Sequence, residues 1–263
     1  MQPRAQNQFE PTLEDGDKRS RLEIEGLETR GFRILDELLL VIQHGTARCS
    51  GHPHDRGLNF LTGLLFVRAF NTLWRARQDL AHGYPIQALM LARAVFEDWV
   101  AALWVEASPD RLPLFLSAIL DEVDEPIDER GKPRRVPQVD RMIDELGEAS
   151  AGARVTYDLL SKFAHPRGKS LRWQFSADEA NLNLRAGSYI DHGDVSVTLY
   201  FLIDVAAPLL APLGRLQDRW IGGDDPEWAL RAVAAAQAGF EYTNELLDEI
   251  QAAADAGVPW RGR

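Results

Sequence analysis

Tyr157, Ser161 and His165 are spaced four residues apart in the segment YDLLSKFAHP. On a helix this spacing sets the three side chains on one face, each a turn above the last. Two hydroxyls leading to an imidazole form a set suited to hydrogen bonding and to proton transfer near neutral pH. Leu159, Leu160 and Phe163 lie between them and require a core, and Pro166 ends the helix directly after the histidine. A second polar set, Arg93, Glu97 and Asp98, interrupts the apolar stretch IQALMLARAVFEDWVAALWV. Arg93 and Glu97 are also four apart and can pair. A charged pair in a helix that is apolar almost all round is explained better by specificity or function than by stability. If the two helices meet, Glu97 can orient the His165 ring and raise its pKa.

Three further groups could carry chemistry. Arg167, Lys169 and Arg172 follow the histidine in HPRGKSLRW and form a local cationic patch suited to a phosphate, or simply a helix C-terminus whose cations complement its dipole. His44, Cys49, His52, His54 and Asp55 crowd the stretch HGTARCSGHPHDRG and are of zinc-ligand type. They lack a Cys-x-x-Cys or His-x-x-x-His arrangement, and a surface loop that happens to be rich in histidine is the plainer reading. Arg77 and His82, with Tyr84 two residues on, form the third group.

The elements that must position these groups are helical. Ile34, Leu35, Leu38, Leu39 and Ile42 recur at helical spacing, with the segment Phe32 to Gln43 the clearest. The stretch that starts at His44 reads as a loop. Further helices are expected from about Leu58 to Ala81, from Ile86 to Val105, through Leu114 to Leu120, from Val139 to Leu146, from Ala153 to His165, from Val195 to Trp220 with a break near Pro208 and Pro212, and from Pro226 to Ala254. Residues 121–137 read as a charged loop. Two extended segments around Ser176 to Asn181 suggest a small β-hairpin between residues 170 and 190. The expectation is an all-α antiparallel bundle of seven or eight helices, with residues 1–16 a disordered lead and residues 17–256 one helical domain.

Composition limits the function classes. With 29 Lys and Arg against 40 Asp and Glu, the net charge of −11 argues against a general nucleic-acid coat, though not against a local basic site. A single cysteine excludes an intrachain disulfide framework and suits a reducing cytoplasm. The polar N-terminus does not read as a secretory signal. The run Val195 to Leu213 carries Asp204, Pro208 and Pro212 and reads as a core helix rather than a membrane span. Phosphate-binding Gly-Lys-Ser/Thr loops, dinucleotide glycine fingerprints and Gly-x-Ser-x-Gly elbows are absent from the sequence, and no cofactor is expected.

Leu91-x-Arg93-x-x-x-Glu97 followed by Tyr157-x-x-x-Ser161-x-x-x-His165-Pro166 resembles a bacterial helical family of unknown function, over about Leu58 to Trp220. More distantly, the helix-ending histidine resembles the HEPN (higher eukaryotes and prokaryotes nucleotide-binding) superfamily. Many of its members are metal-independent ribonucleases of defence and toxin–antitoxin systems, active as dimers. Their motif is an arginine, four to six residues, then histidine. Positions 158 to 160 here are Asp158, Leu159 and Leu160, so Arg93 would have to supply the cation in space. Arg77-x-x-x-x-His82-x-Tyr84 matches the motif literally and is the rival pair. The resemblance implies a cytoplasmic protein that acts on or binds RNA in bacterial defence or stress response, as a homodimer or with a protein partner. Two readings stand beside it: a non-enzymatic interaction or immunity-type bundle, and a small-ligand or metal-binding helical protein.

Overall fold

Pro85–Glu106 is buried on nearly every side, and the other helices are arranged to cover it. In the computed structural model the described residues are 21, 23–50, 57–120, 126–133, 135–147, 152–164, 175–177, 182–184, 192–222, 225–258 and 260. Their helices are α1 (Thr29–Arg48), α2 (Leu58–Ala81), α3 (Pro85–Glu106), α4 (Leu112–Ile119), α5 (Val139–Leu146), α6 (Ala153–Ala164), α7 (His192–Ala206), α8 (Leu210–Ile221) and α9 (Pro226–Asp255). The described chain is thus overwhelmingly α-helical. In the stretch expected to hold a hairpin, Phe175–Ala177 pairs antiparallel with Leu182–Leu184, Phe175 opposite Leu184. The residues between and around these two segments lie outside the described ones, as do residues 1–16.

α2 and α3 make the most extensive helix pair. His82 and Gly83 turn the chain between them, with Gly83 at φ 84°, a left-handed conformation that a Cβ would disfavour. Pro85 then opens α3, where its fixed φ suits the first turn and its missing N–H is no loss. α3 also packs on α5, α6 and α7. One apolar cluster runs through all of this, from Ile24 and Leu38 through Leu73, Leu89, Val100, Leu160 and Leu202 to Leu246. The segment His192–Ile221 is apolar and long enough to cross a membrane, but 72% of its most apolar window is buried within the fold. It is broken at the 3-10 turn Ala207–Leu209, where Pro208 cannot donate to the helical ladder.

The long helices α1 and α9 lie together through small residues. A Cβ on Gly31 would sit 2.7 Å from Tyr242 Oη and 2.9 Å from Leu199 Cδ1. Tyr242 is fully buried there and donates its hydroxyl to Glu28 Oε1 at 2.9 Å. At the other end of α1, a Cβ on Gly45 would meet Gln217 Nε2 at 2.8 Å and Trp228 at 2.9 Å. That contact corrects the loop expected to start at His44. Gly45 and Thr46 weaken helix propensity, yet packing on α8 and Trp228 carries α1 on to Arg48. α9 begins at Asp225, whose carboxylate caps the N–H groups of Glu227 and Trp228 at 3.0 Å each. These hydrogen bonds, with Arg48 paired to the same side chain, hold the Asp225 carboxyl below the ordinary aspartate range.

Arg77 ties α1 to α2. Its side chain is 9% exposed; Nε and Nη2 donate to Asp36 at 2.8 and 3.0 Å, and Nη1 donates to Glu25 at 2.7 Å. The guanidinium also lies over the Phe32 ring, 5.0 Å from its centroid.

The glycine packing yields a paired prediction. Gly31→Ala forces a methyl against Tyr242 and destabilises by about 1–3 kcal/mol, as overpacking does. Gly26→Ala, in the preceding helical segment with nothing within 4 Å of the added Cβ, stabilises by about 0.5–1 kcal/mol. Urea midpoints of the two variants measured with the wild type check both signs.

Candidate functional site

α3 carries Arg93 and Glu97 one turn apart, and α6 carries Tyr157 and Ser161 one turn apart. The two helices pack directly. Arg93 Nε donates to Glu97 Oε1 at 2.9 Å, and Arg93 Nη2 reaches across to Tyr157 Oη at 3.1 Å. The guanidinium carbon also lies 5.2 Å from the centroid of the Tyr157 ring. One cation therefore binds an acid on its own helix and both the ring and the hydroxyl of its neighbour. Arg93 and Glu97 are 21% and 34% exposed, so this contact is at the rim of the core rather than within it. The fold does bring the Arg-Glu pair to the helix of the polar ladder.

Along that helix, Leu160 is fully buried and Phe163 meets Phe201 of α7 edge-on at 6.0 Å. These apolar contacts fix the rotation of α6 and so aim Tyr157 at α3. Ser161 Oγ is shielded from solvent without a hydrogen-bond partner among the described residues. His165, Arg167, Lys169 and Arg172 lie outside the described residues. The rival pair is placed elsewhere: the Arg77 donors go to Asp36 and Glu25, while His82 Nδ1 is 2.6 Å from the carbonyl of Gln78. Of the zinc-type residues, His44 is exposed near the end of α1. Cys49 is buried with Sγ 3.5 Å from the Gly45 carbonyl, and burial pushes its thiol up. His52, His54 and Asp55 are outside the described residues, and among those described no group of three or more His, Cys, Asp or Glu is placed to hold a metal.

Two acids flank this region, Asp98 buried and Asp204 half-buried. Asp98, 2% exposed, receives Arg68 Nε from α2 at 3.0 Å and pairs with Arg68 Nη2 as well. Burial raises its carboxyl more than Arg68 lowers it, and Glu97 adds to the rise. Asp204 of α7 is the other. It accepts a long hydrogen bond of 3.4 Å from Thr156 Oγ1, and no cation is recorded against it among the described residues. Burial accordingly holds its carboxyl above the ordinary range, and its charge in turn adds to the upward shift of Tyr200, one turn earlier. Asp204 and Thr156 open on a cavity of about 190 Å³ lined also by Phe96, Trp99, Ala153 and Val205. Phe96 stacks on Tyr157 at 6.1 Å and tilts against Trp99 at 5.5 Å, so it separates the cavity from the Arg93–Tyr157 contact. One signal for this cavity is legible in the sequence, an aspartate in the middle of an apolar run.

No protein-family model matches the chain, and neither the curated proteins nor the solved structures provide a match.

Two outcomes follow from the geometry. Tyr157→Phe keeps the ring under Arg93 and removes only the hydroxyl, costing about 0.5–1.5 kcal/mol in chemical denaturation. Asp204 is more easily protonated in the folded than in the unfolded chain. The stability linked to it is therefore full below the ordinary aspartate pKa and is lost as pH rises through the raised value. Asp204→Asn should then raise the melting temperature relative to wild type more at pH 8 than at pH 4, as a thermal melt at each pH will read.

Proposed function

We propose that this chain is a HEPN-like helical protein that acts on or binds RNA in bacterial defence or stress response. The observation that carries the reading is the Arg93–Tyr157 contact. It sets the Arg93 guanidinium and its Glu97 partner, both on α3, against α6, and in the sequence His165 follows Ala164, the last residue of α6, with three further cations from Arg167 to Arg172. In the ribonuclease form, His165 takes the proton of a ribose 2′-hydroxyl. The 2′-oxygen attacks the adjacent phosphorus, and the 5′-oxygen leaves with a proton. Arg93 stabilises the charge that builds on the phosphoryl oxygens. Tyr157 and Ser161 are positioning groups, and Arg167, Lys169 and Arg172 hold the flanking phosphates. No metal is needed for these steps. The bundle is read as one antiparallel domain over residues 17–256, with the paired segments near 175 and 184 as a hairpin against it, and with a cytoplasmic setting and a homodimeric state or a protein partner.

A second reading is favoured by the same contact. Arg93 has both Glu97 and Tyr157 as partners, which is how a polar group fixes the register of two helices in an interaction or immunity-type bundle that performs no reaction.

Incubation of the purified protein with single-stranded RNA in a chelator separates the two. The first reading expects fragments ending in 2′,3′-cyclic phosphate, with His165→Ala and Arg93→Ala each slowing cleavage by about 100-fold or more. Cleavage lost instead in His82→Ala would move the site to the rival pair. Absence of both cleavage and RNA binding would leave the structural reading.

A further inference from the structure

The cavity beside Asp204 has features that the RNA reading does not use. Its polar wall is a carboxyl group with one long hydrogen bond, from Thr156 at 3.4 Å. The groups that face that carboxyl are Thr156 from α6 and Tyr200 from its own helix; among the described residues no arginine, lysine or histidine is recorded there. Two sides of the remaining wall are aromatic, Phe96 and Trp99, and the rest is small or apolar, Gly152, Ala153, Val205 and Pro208. A carboxylate partly withdrawn from water is less favourable unless a cation meets it. Aromatic faces attract cations through their quadrupole, most strongly when water is excluded. The fold therefore lines a half-open recess with the two kinds of group that stabilise a positive charge, and the described residues supply no cation to it.

We infer that this cavity is a binding site for a small organic ammonium ion, with the charged nitrogen against the Asp204 carboxylate and its apolar substituents against Phe96 and Trp99. The volume of about 190 Å³ sets the size. Cavities of roughly 150 Å³ take a benzene ring, so the ligand class is a primary or methylated amine with one ring or a short branched chain. The aromatic wall also gives the selectivity its direction. A neutral isostere keeps the apolar contacts but leaves the carboxylate unmatched, and an anion meets a like charge. Binding of a cation favours the ionised form of Asp204 and so opposes the upward shift that burial imposes on its carboxyl. The inference stands apart from the RNA reading, since it uses neither Arg93 nor His165.

Benzylammonium and benzyl alcohol make a matched pair of probes, alike in shape and different in charge. Calorimetric titration of the full chain at neutral pH should find one site that binds benzylammonium at least about tenfold more tightly than the alcohol. Asp204→Asn, which retains the shape and the hydrogen bond with Thr156, should bring the two affinities together by weakening the amine alone. Ala153→Leu fills the cavity with the carboxylate intact and should abolish binding of both, with circular dichroism confirming that both variants fold. The inference is overturned if the alcohol binds as well as the amine, if the preference survives Asp204→Asn, if Ala153→Leu still binds, or if neither probe binds the wild type.

Discussion

A helix that is apolar around its whole circumference has to be enclosed, and α3 sets that requirement for the rest of the chain. Its Ala, Leu, Val, Phe and Trp side chains leave no broad polar stripe to face water, so neighbours must cover it on several sides. α2, α5, α6 and α7 do so. The charges that interrupt it are then placed where a partner can reach: Glu97 meets Arg93 at the rim, and Asp98 meets Arg68 from α2. Trp104 illustrates the same constraint at the far end. Its indole N–H donates to Glu145 of α5 at 2.8 Å while Arg111 covers its ring at 4.5 Å, so α5 is fastened by the polar edge of a core side chain.

The helical character was legible because the apolar periodicity of these segments is strong and their ends carry recognisable chemistry, such as Pro85 at the start of α3 and Asp225 capping α9. The C-terminal turn of α1 was not legible. Gly45, Thr46 and the histidines read as a loop by local preference, and only contact with Gln217, Leu213 and Trp228, far away in sequence, explains the helix there. The pairing of Arg93 with Glu97 followed from their spacing. Its extension to Tyr157 depended on the rotation of α6, which Leu160 and Phe163 determine through the core. Arg77 shows the opposite case. Its spacing to His82 matched a catalytic pattern, but a pattern in sequence does not reveal that the donors of that arginine are directed to Asp36 and Glu25. Asp204 was visible only as an interruption, since the space beside it is made by residues from three helices.

The two polar regions differ in how their charges are satisfied. At Arg93 the positive charge is matched by an acid and a ring, which suits a group held ready at the edge of the core. At Asp204 the carboxyl has, among the described residues, one hydroxyl partner, and two aromatic side chains line the same cavity. The first arrangement is complete as a contact and gains chemistry only from what approaches it. The second is incomplete without an occupant.

Phe96 belongs to both. One face of its surroundings is Tyr157, on which it stacks, and another is the cavity shared with Trp99 and Asp204. A single ring thus forms a party wall between two compartments. Any occupant that tilts that ring changes the free energy of the Arg93–Tyr157 contact, and any partner that engages Arg93 changes the affinity of the cavity by the same factor, because coupling between two equilibria is reciprocal. The wall that divides the two regions is also what lets each register the state of the other.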